Sequence, residues 1–248
     1  MDTYTFRVEP FSEDVTGRLA WGVLGNTLLR VAEYSAITHG FGFDTVHKDN
    51  CAWVLSRLLI DAKEMPRTGQ EYVIRTWVAR IYRQFTDRLF TISLADGTPV
   101  GHAASVWALI NLATRQPVNL ETIDNPGFHA AMDTATVSDT TFTRCRIAAT
   151  TPARTIDIVP SDLDINGHVN SIRYLQMATD TVYNIYREHL DPRRHRPVRV
   201  EMTYMAETFY GDTLRAFVQP QEQQPDAFAL SLVRGDGTPA TRAFIHFA

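Results

Sequence analysis

Hydrophobic and polar positions alternate along this chain with two periods, and the periods follow one another in the same order twice. Residues 4–9 alternate as a first strand. From 18 to 39, Trp21, Leu24, Leu28 and Val31 fall at steps of three and four, which predicts one face of a helix. Gly22 and Gly25 weaken that helix unless it packs closely against something. Four stretches rich in Val, Ile, Trp and Thr then read as strands at 51–62, 71–82, 85–95 and 101–113. Residues 114–150 hold no sustained period and read as a connector. A strand at 154–159 and a helix at 171–189 follow, the helix with Leu175, Ala178, Val182 and Ile185 on one face. Strands at 198–206, 213–219, 227–233 and 241–247 complete the second series.

One tetrapeptide ties the two series together. Asp96-Gly97-Thr98-Pro99 sits in the last hairpin of the first, and Asp236-Gly237-Thr238-Pro239 in the last hairpin of the second. Asp-Gly favours turns that match strand twist, and Ser-Leu recurs ahead of both, at Ser93-Leu94 and Ser231-Leu232. The same peptide at the same place in matching series predicts a tandem duplication. Short connections favour antiparallel pairing. The expected class is α+β, with an N-terminal domain at 1–133, a linker at 134–150 and a C-terminal domain at 151–248.

Composition narrows the function classes. The 248 residues are 44% hydrophobic and 21% charged, as in an ordinary globular protein. A net charge of −4 argues against non-specific nucleic-acid binding. No basic n-region and apolar h-region opens the sequence, and no apolar run approaches the about 20 residues that span a bilayer. A soluble, cytoplasmic protein without a membrane partner is the expectation. Cys51 and Cys145 fit no metal or redox spacing and read as buried free thiols, with one disulfide left open.

The densest candidate chemistry lies in Ser161-Asp162-Leu163-Asp164-Ile165-Asn166-Gly167-His168-Val169-Asn170, directly ahead of the second helix. Asp164, Asn166 and His168 recur every second residue, a spacing that points all three to one side of an extended segment. The same residue types also serve as turn and capping residues, with Asn170 or Ser171 the expected N-cap. Oxygen and imidazole groups could bind a divalent ion, but the remaining EF-hand ligands and a His-Glu-x-x-His pattern are absent, so neither a metal nor a cofactor is expected. No Gly-x-Ser-x-Gly elbow occurs, and Gly40 and Gly42 lack the third glycine of a dinucleotide fingerprint. Arg193, Arg194, Arg196 and Arg199 form the densest basic cluster.

These motifs carry a family resemblance over nearly the whole chain. In the first half they are Asn50-Cys51-Ala52-Trp53-Val54-Leu55-Ser56-Arg57, Thr76-Trp77-Val78 and Ala104-Ser105-Val106-Trp107-Ala108-Leu109-Ile110-Asn111. The second half carries Asp162 through Ser171 with Tyr174, and Tyr204-Met205-Ala206-Glu207. The chain resembles the acyl-[acyl-carrier-protein] thioesterases of fatty-acid synthesis, as a bacterial relative of the plant enzymes. The resemblance implies a tandem (double) hotdog, each half an antiparallel sheet wrapped around a long helix, with the acyl pocket in the first half and catalysis in the second. It places the catalytic set on Asp164, Asn166, His168 and Glu207. Glu207 and/or Asp164 would activate water, while Asn166 and His168 position it or the substrate. Plant members have a cysteine directly after the glutamate where this chain has Thr208, so a cysteine nucleophile is not required here.

The implied partner is acyl carrier protein bearing an acyl-phosphopantetheine. Carrier proteins are acidic, and the basic cluster is a candidate docking patch for one. An acyl-CoA thioesterase, a dehydratase and a non-catalytic acyl-binding hotdog remain alternatives. A homodimer stays open, although the duplication already supplies the pair that single hotdogs obtain by dimerising.

Overall fold

The computed structural model describes every residue except Cys145, Arg146 and Ala149. The expectation for Cys145 therefore lies outside the described residues; Cys51 is a buried free thiol. The chain divides into two compact units, Met1–Thr140 and Thr141–Ala248.

In the first unit the strands are β1 (Asp2–Arg7), β2 (Cys51–Ala62), β3 (Glu71–Ile81), β4 (Thr86–Leu94) and β5 (Pro99–Asn111). They lie in the order β1-β3-β4-β5-β2 with every neighbouring pair antiparallel. The long helix α1 (Trp21–Thr38) buries Trp21, Leu24, Leu28 and Val31, and both of its glycines are buried with them. Two short helices, α2 (Phe43–Lys48) and α3 (Pro126–Ala130), arise where the sequence gives no helical period. With six and five residues, neither is long enough to display one. Local caps make them instead. Asn125 accepts the Phe128 amide ahead of Pro126, and Glu33 Oε1 accepts the Phe43 amide at 2.7 Å. Phe128 then packs on Phe41 and Trp53 with ring centroids 4.9 and 5.8 Å away.

The second unit contains β6 (Arg154–Asp157), α4 (Ser171–Ile185), β7 (Pro197–Tyr204), β8 (Thr213–Pro220), β9 (Ala227–Arg234) and β10 (Pro239–Phe247). Its order is β7-β10-β9-β8-β6, again antiparallel throughout. Counted within its own unit, each sheet runs first-third-fourth-fifth-second, so the topology is duplicated along with the sequence. The two Asp-Gly-Thr-Pro hairpins also fold alike. Asp96 Oδ1 accepts the Thr98 amide and Asp236 Oδ1 the Thr238 amide, each at 2.9 Å. Those hydrogen bonds hold both carboxyls below the usual range. Helix α4 packs against β7, β8, β9 and β10 through Leu175, Ala178 and Val182. Among the described residues no helix is long and apolar enough to cross a membrane.

Arg199 is a correction to the basic cluster. It is the third residue of β7, and the alternation of the strand turns its side chain inward, where it is 9% exposed. Its Nε donates to Glu201 Oε1 at 2.7 Å and its Nη2 to the Thr141 carbonyl at 2.8 Å. The Thr143 amide and hydroxyl donate to the same carboxylate at 2.6 and 2.8 Å. This guanidinium is an internal clamp and has no surface to offer a partner. Residues in the stretch expected as linker are thus pinned, on this side by Arg199 and Glu201. In the first unit the Trp77 indole N–H, which donates to the Ala135 carbonyl at 3.0 Å, does the same.

Removing one partner of a buried ion pair leaves the other charge uncompensated. Glu201→Ala should therefore destabilise the protein by about 3–5 kcal/mol, read as a fall in the denaturation midpoint. A loss below about 1 kcal/mol would show that the pair contributes no more than a surface salt bridge.

Candidate active site

The stretch from Leu163 to Val169 folds back on itself. Leu163 and Val169 form an antiparallel bridge, the Asp164 amide donates to the His168 carbonyl at 2.8 Å, and the Gly167 amide returns to the Asp164 carbonyl at 3.0 Å. Asp164 Oδ1 sits inside the turn and accepts the amides of Asn166 at 2.8 Å and His168 at 3.3 Å. Gly167 takes a φ of +76°, a conformation that glycine adopts without steric cost. The expectation of an extended segment with three side chains on one side is therefore corrected. An aspartate that can cap two amides and a glycine that can reverse the chain turn it into an Asx-type loop. Asn166 is exposed near the tip, beside an Ile165 that is 95% exposed.

The first unit builds the same turn from different residues. Asp14 Oδ1 accepts the Thr16 and Arg18 amides at 2.8 and 3.4 Å, the Asp14 amide reaches the Arg18 carbonyl at 2.7 Å, and Gly17 has a φ of +73°. Both turns dock on the loop beyond the unit's second strand: the Leu19 amide donates to Pro66 O at 2.8 Å and the Val169 amide to Thr208 O at 2.9 Å. What differs is the side chain at the docked position. In the first unit Arg18 pairs with Glu64 and also donates to the Met65 carbonyl at 3.1 Å. In the second unit the position belongs to His168, whose Nδ1 lies 3.7 Å from Glu207 Oε1.

Glu207 lies three residues beyond the end of β7. Its carbonyl accepts from Arg234 Nη1 at 3.1 Å, and Arg234 Nη2 in turn lies 3.2 Å from Asp236 Oδ2. The Phe209 ring and the imidazole meet in a T-shaped contact, with centroids 5.0 Å apart and planes at 88°. Asp212 Oδ2 holds the Phe209 amide at 2.9 Å. At 3.7 Å, Nδ1 and Oε1 are in ion-pair range and farther apart than a hydrogen bond. They are 28% and 40% exposed, so the pair is open to a ligand from solvent.

A buried framework stands behind the turn. Asp162, 2% exposed, accepts from Nε and Nη2 of Arg173 at 2.9 and 2.7 Å and from the Val159 amide at 3.0 Å. Its own carbonyl takes the Asn170 amide at 2.9 Å. Asn170 caps α4 by accepting the Ile172 amide at 2.8 Å. The Tyr204 hydroxyl donates to the Ser171 carbonyl at 3.0 Å. Burial pushes the Tyr174 hydroxyl up to about 12.

Of the expected catalytic set, the fold brings His168 and Glu207 together and ties Asp164 to His168 through its backbone. The side-chain amide of Asn166 makes no hydrogen bond to any described residue. Arg173, Arg234 and Phe209 complete the surroundings and carry no motif that reveals them in the sequence. Among the described residues no three His, Cys, Asp or Glu side chains converge as metal ligands. Arg193 and Arg194 are exposed and Arg196 half-buried. All three precede β7 while Glu207 follows it, and the eight residues of that strand put roughly 25 Å between the two ends.

Family models for the acyl-ACP thioesterase N-terminal and C-terminal domains match residues 2–123 and 150–248. Among solved structures, an acyl-ACP thioesterase from Bacteroides thetaiotaomicron is 38% identical with a TM-score of 0.89, over 100% of this chain and 97% of that one. The 12:0-ACP thioesterase from Umbellularia californica matches with a TM-score of 0.84 at 18% identity, over 100% of this chain and 96% of that one, a likeness of fold. A chloroplastic acyl-[acyl-carrier-protein] hydrolase from Cuphea viscosissima is 25% identical over 206 residues, 71% of this chain and 49% of its own length. The chain spans about half the length or less of the curated relatives it matches.

The turn separates structure from chemistry at Asp164. Asn presents the same acceptor oxygen to both amides, so Asp164→Asn should stay within about tenfold of the parent activity. Asp164→Ala removes the acceptor and should cost about 1–2 kcal/mol of stability together with most of the activity. An Asp164→Asn variant as inactive as Asp164→Ala would assign the carboxylate a direct chemical role.

Proposed function

Because the chain belongs to the acyl-ACP thioesterase family, we propose that it hydrolyses the thioester of an acylated carrier protein to a free fatty acid and the carrier's thiol. The observation that carries this reading is the His168–Glu207 pair, 3.7 Å apart at the docked turn of the second unit. Glu207 takes a proton from water as the water oxygen attacks the thioester carbonyl carbon. With Nδ1 turned toward Glu207, the other ring nitrogen of His168 faces the substrate and steadies the carbonyl oxygen or the departing sulfur. The carbon–sulfur bond then breaks and the thiolate leaves with the proton the pair has gathered. Asp164 holds the turn, and Asn166 at its tip meets the pantetheine end of the substrate. The first unit takes the acyl chain, as the family resemblance implies.

General acid–base groups contribute about 10²–10⁴-fold to rate. His168→Ala and Glu207→Ala should each lower kcat for thiol release from acyl-carrier-protein thioesters by at least about 100-fold, with KM changed far less. Undiminished turnover in both variants would refute the assignment.

Arg193 and Arg194 keep the charge to draw in an acidic carrier, at a distance from the pair that suits steering better than docking beside the thioester. Arg193→Glu with Arg194→Glu should raise KM for the carrier-bound substrate by less than about threefold and leave kcat unchanged. A rise of tenfold or more would make the loop a docking surface.

A further inference from the structure

The first unit keeps a charge where its packing favours none. Helices α1 and α3 and strands β2 to β5 surround a cavity that opens to solvent. Most of its wall is apolar and aromatic, with Phe41, Trp53, Trp107 and Phe128, and Glu33 and Thr86 add polar groups. Arg88, the third residue of β4, reaches the same lining and is 4% exposed. Burial brings its pKa down to about 10, which still leaves the guanidinium charged at neutral pH.

The hydrogen bonding of Arg88 is incomplete. Nη1 donates to the hydroxyls of Ser35 at 2.9 Å and Thr76 at 3.2 Å, both neutral. Thr76 is further committed, donating to the Leu89 carbonyl at 3.0 Å. Nε and Nη2 make no hydrogen bond to a described residue. The carboxylates whose charge reaches Arg88 have partners of their own: Asp2 pairs with His39 at 3.2 Å, and Glu33, which lines the same cavity, accepts the Phe43 amide at 2.7 Å. Among the described residues no carboxylate pairs with Arg88. A buried guanidinium is costly unless paired, and its two idle nitrogens, Nε and Nη2, form the planar fork that receives a carboxylate.

We propose that this cavity is a binding site for an aliphatic chain that ends in a carboxylate, with the carboxylate on Arg88 and the chain along Phe41, Trp53 and Phe128. A plain methyl terminus at the same place would leave the donors unmet. The carboxylate has two sources. One is a free fatty acid bound head-in, the product class of the hydrolysis proposed above. The other is an acyl group carboxylated at its far end, which rests on the thioesterase reading.

Trp53 and Trp107 line the cavity, so tryptophan fluorescence of the full chain reports its filling, and calorimetry gives an independent Kd. Decanoate should bind at least about tenfold tighter than decanol. Arg88→Met should weaken decanoate to the decanol level and leave decanol within about threefold, while Arg88→Lys falls between. Equal binding of decanoate and decanol by the unaltered protein would overturn the site, a result that depends on no variant folding. The sources separate in two assays. A free-acid site predicts product inhibition by decanoate that Arg88→Met relieves. An acyl site predicts faster hydrolysis of an ω-carboxylated decanoyl thioester than of the decanoyl one, a preference lost in Arg88→Met. Decanoate binding in a chain without thioesterase activity would overturn the proposed function and leave this site standing.

Discussion

A single carboxylate oxygen gathering two backbone amides is the constraint on which the proposed site of the second unit rests. Asp164 closes a seven-residue turn between Leu163 and Val169, and closing it fixes where the following backbone runs. Val169 can then bond to Thr208, which places His168 opposite the loop that carries Glu207. Neither His168 nor Glu207 lies within a strand or a helix. His168 lies three residues ahead of α4 and Glu207 three beyond β7, and hydrogen bonds hold both neighbourhoods: those of Asp162 and Asn170 at α4, and that of Arg234 to the Glu207 carbonyl. Loops positioned by a rigid scaffold are where reactive groups are commonly found.

The first unit repeats the turn with a different side chain at its docked position. Asp14 performs the same capping, Gly17 takes the same conformation and Leu19 makes the same docking bond. Yet Arg18 stands in place of His168, and a guanidinium is always charged in proteins, so it can neither accept a proton nor exchange one with a neighbour. It is spent on Glu64 and the Met65 carbonyl. One scaffold thus yields a structural ion pair in one unit and an open imidazole–carboxylate pair in the other.

Strands were legible because alternation survives in a half-buried sheet; β2 begins and ends where the sequence places it, and the shared Asp-Gly-Thr-Pro peptide marks equivalent hairpins. The helical stripes of α1 and α4 were legible for the same reason. What the sequence obscured was local folding that carries no period. An i, i+2 spacing reads as an extended face, whereas Asp164 and Gly167 make it a turn. Arg199 reads as one more charge in a basic cluster, whereas the register of β7 turns it inside. Arg88 alternates with polar neighbours in Thr86-Asp87-Arg88, and only the tertiary fold shows which side of β4 is covered.

Among the described residues, the buried arginines Arg88 and Arg199 make the strongest contrast. Arg199 meets a carboxylate at 2.7 Å that is further braced by the Thr143 amide and hydroxyl, which is what the interior demands of a charge. Arg88 meets two hydroxyls and an open space. The chain's own solution for Arg199 shows what Arg88 lacks. Packing alone would be served as well by an uncharged residue of similar volume. A guanidinium left short of its anion beside an apolar cavity is therefore best explained by a ligand that brings the anion with it.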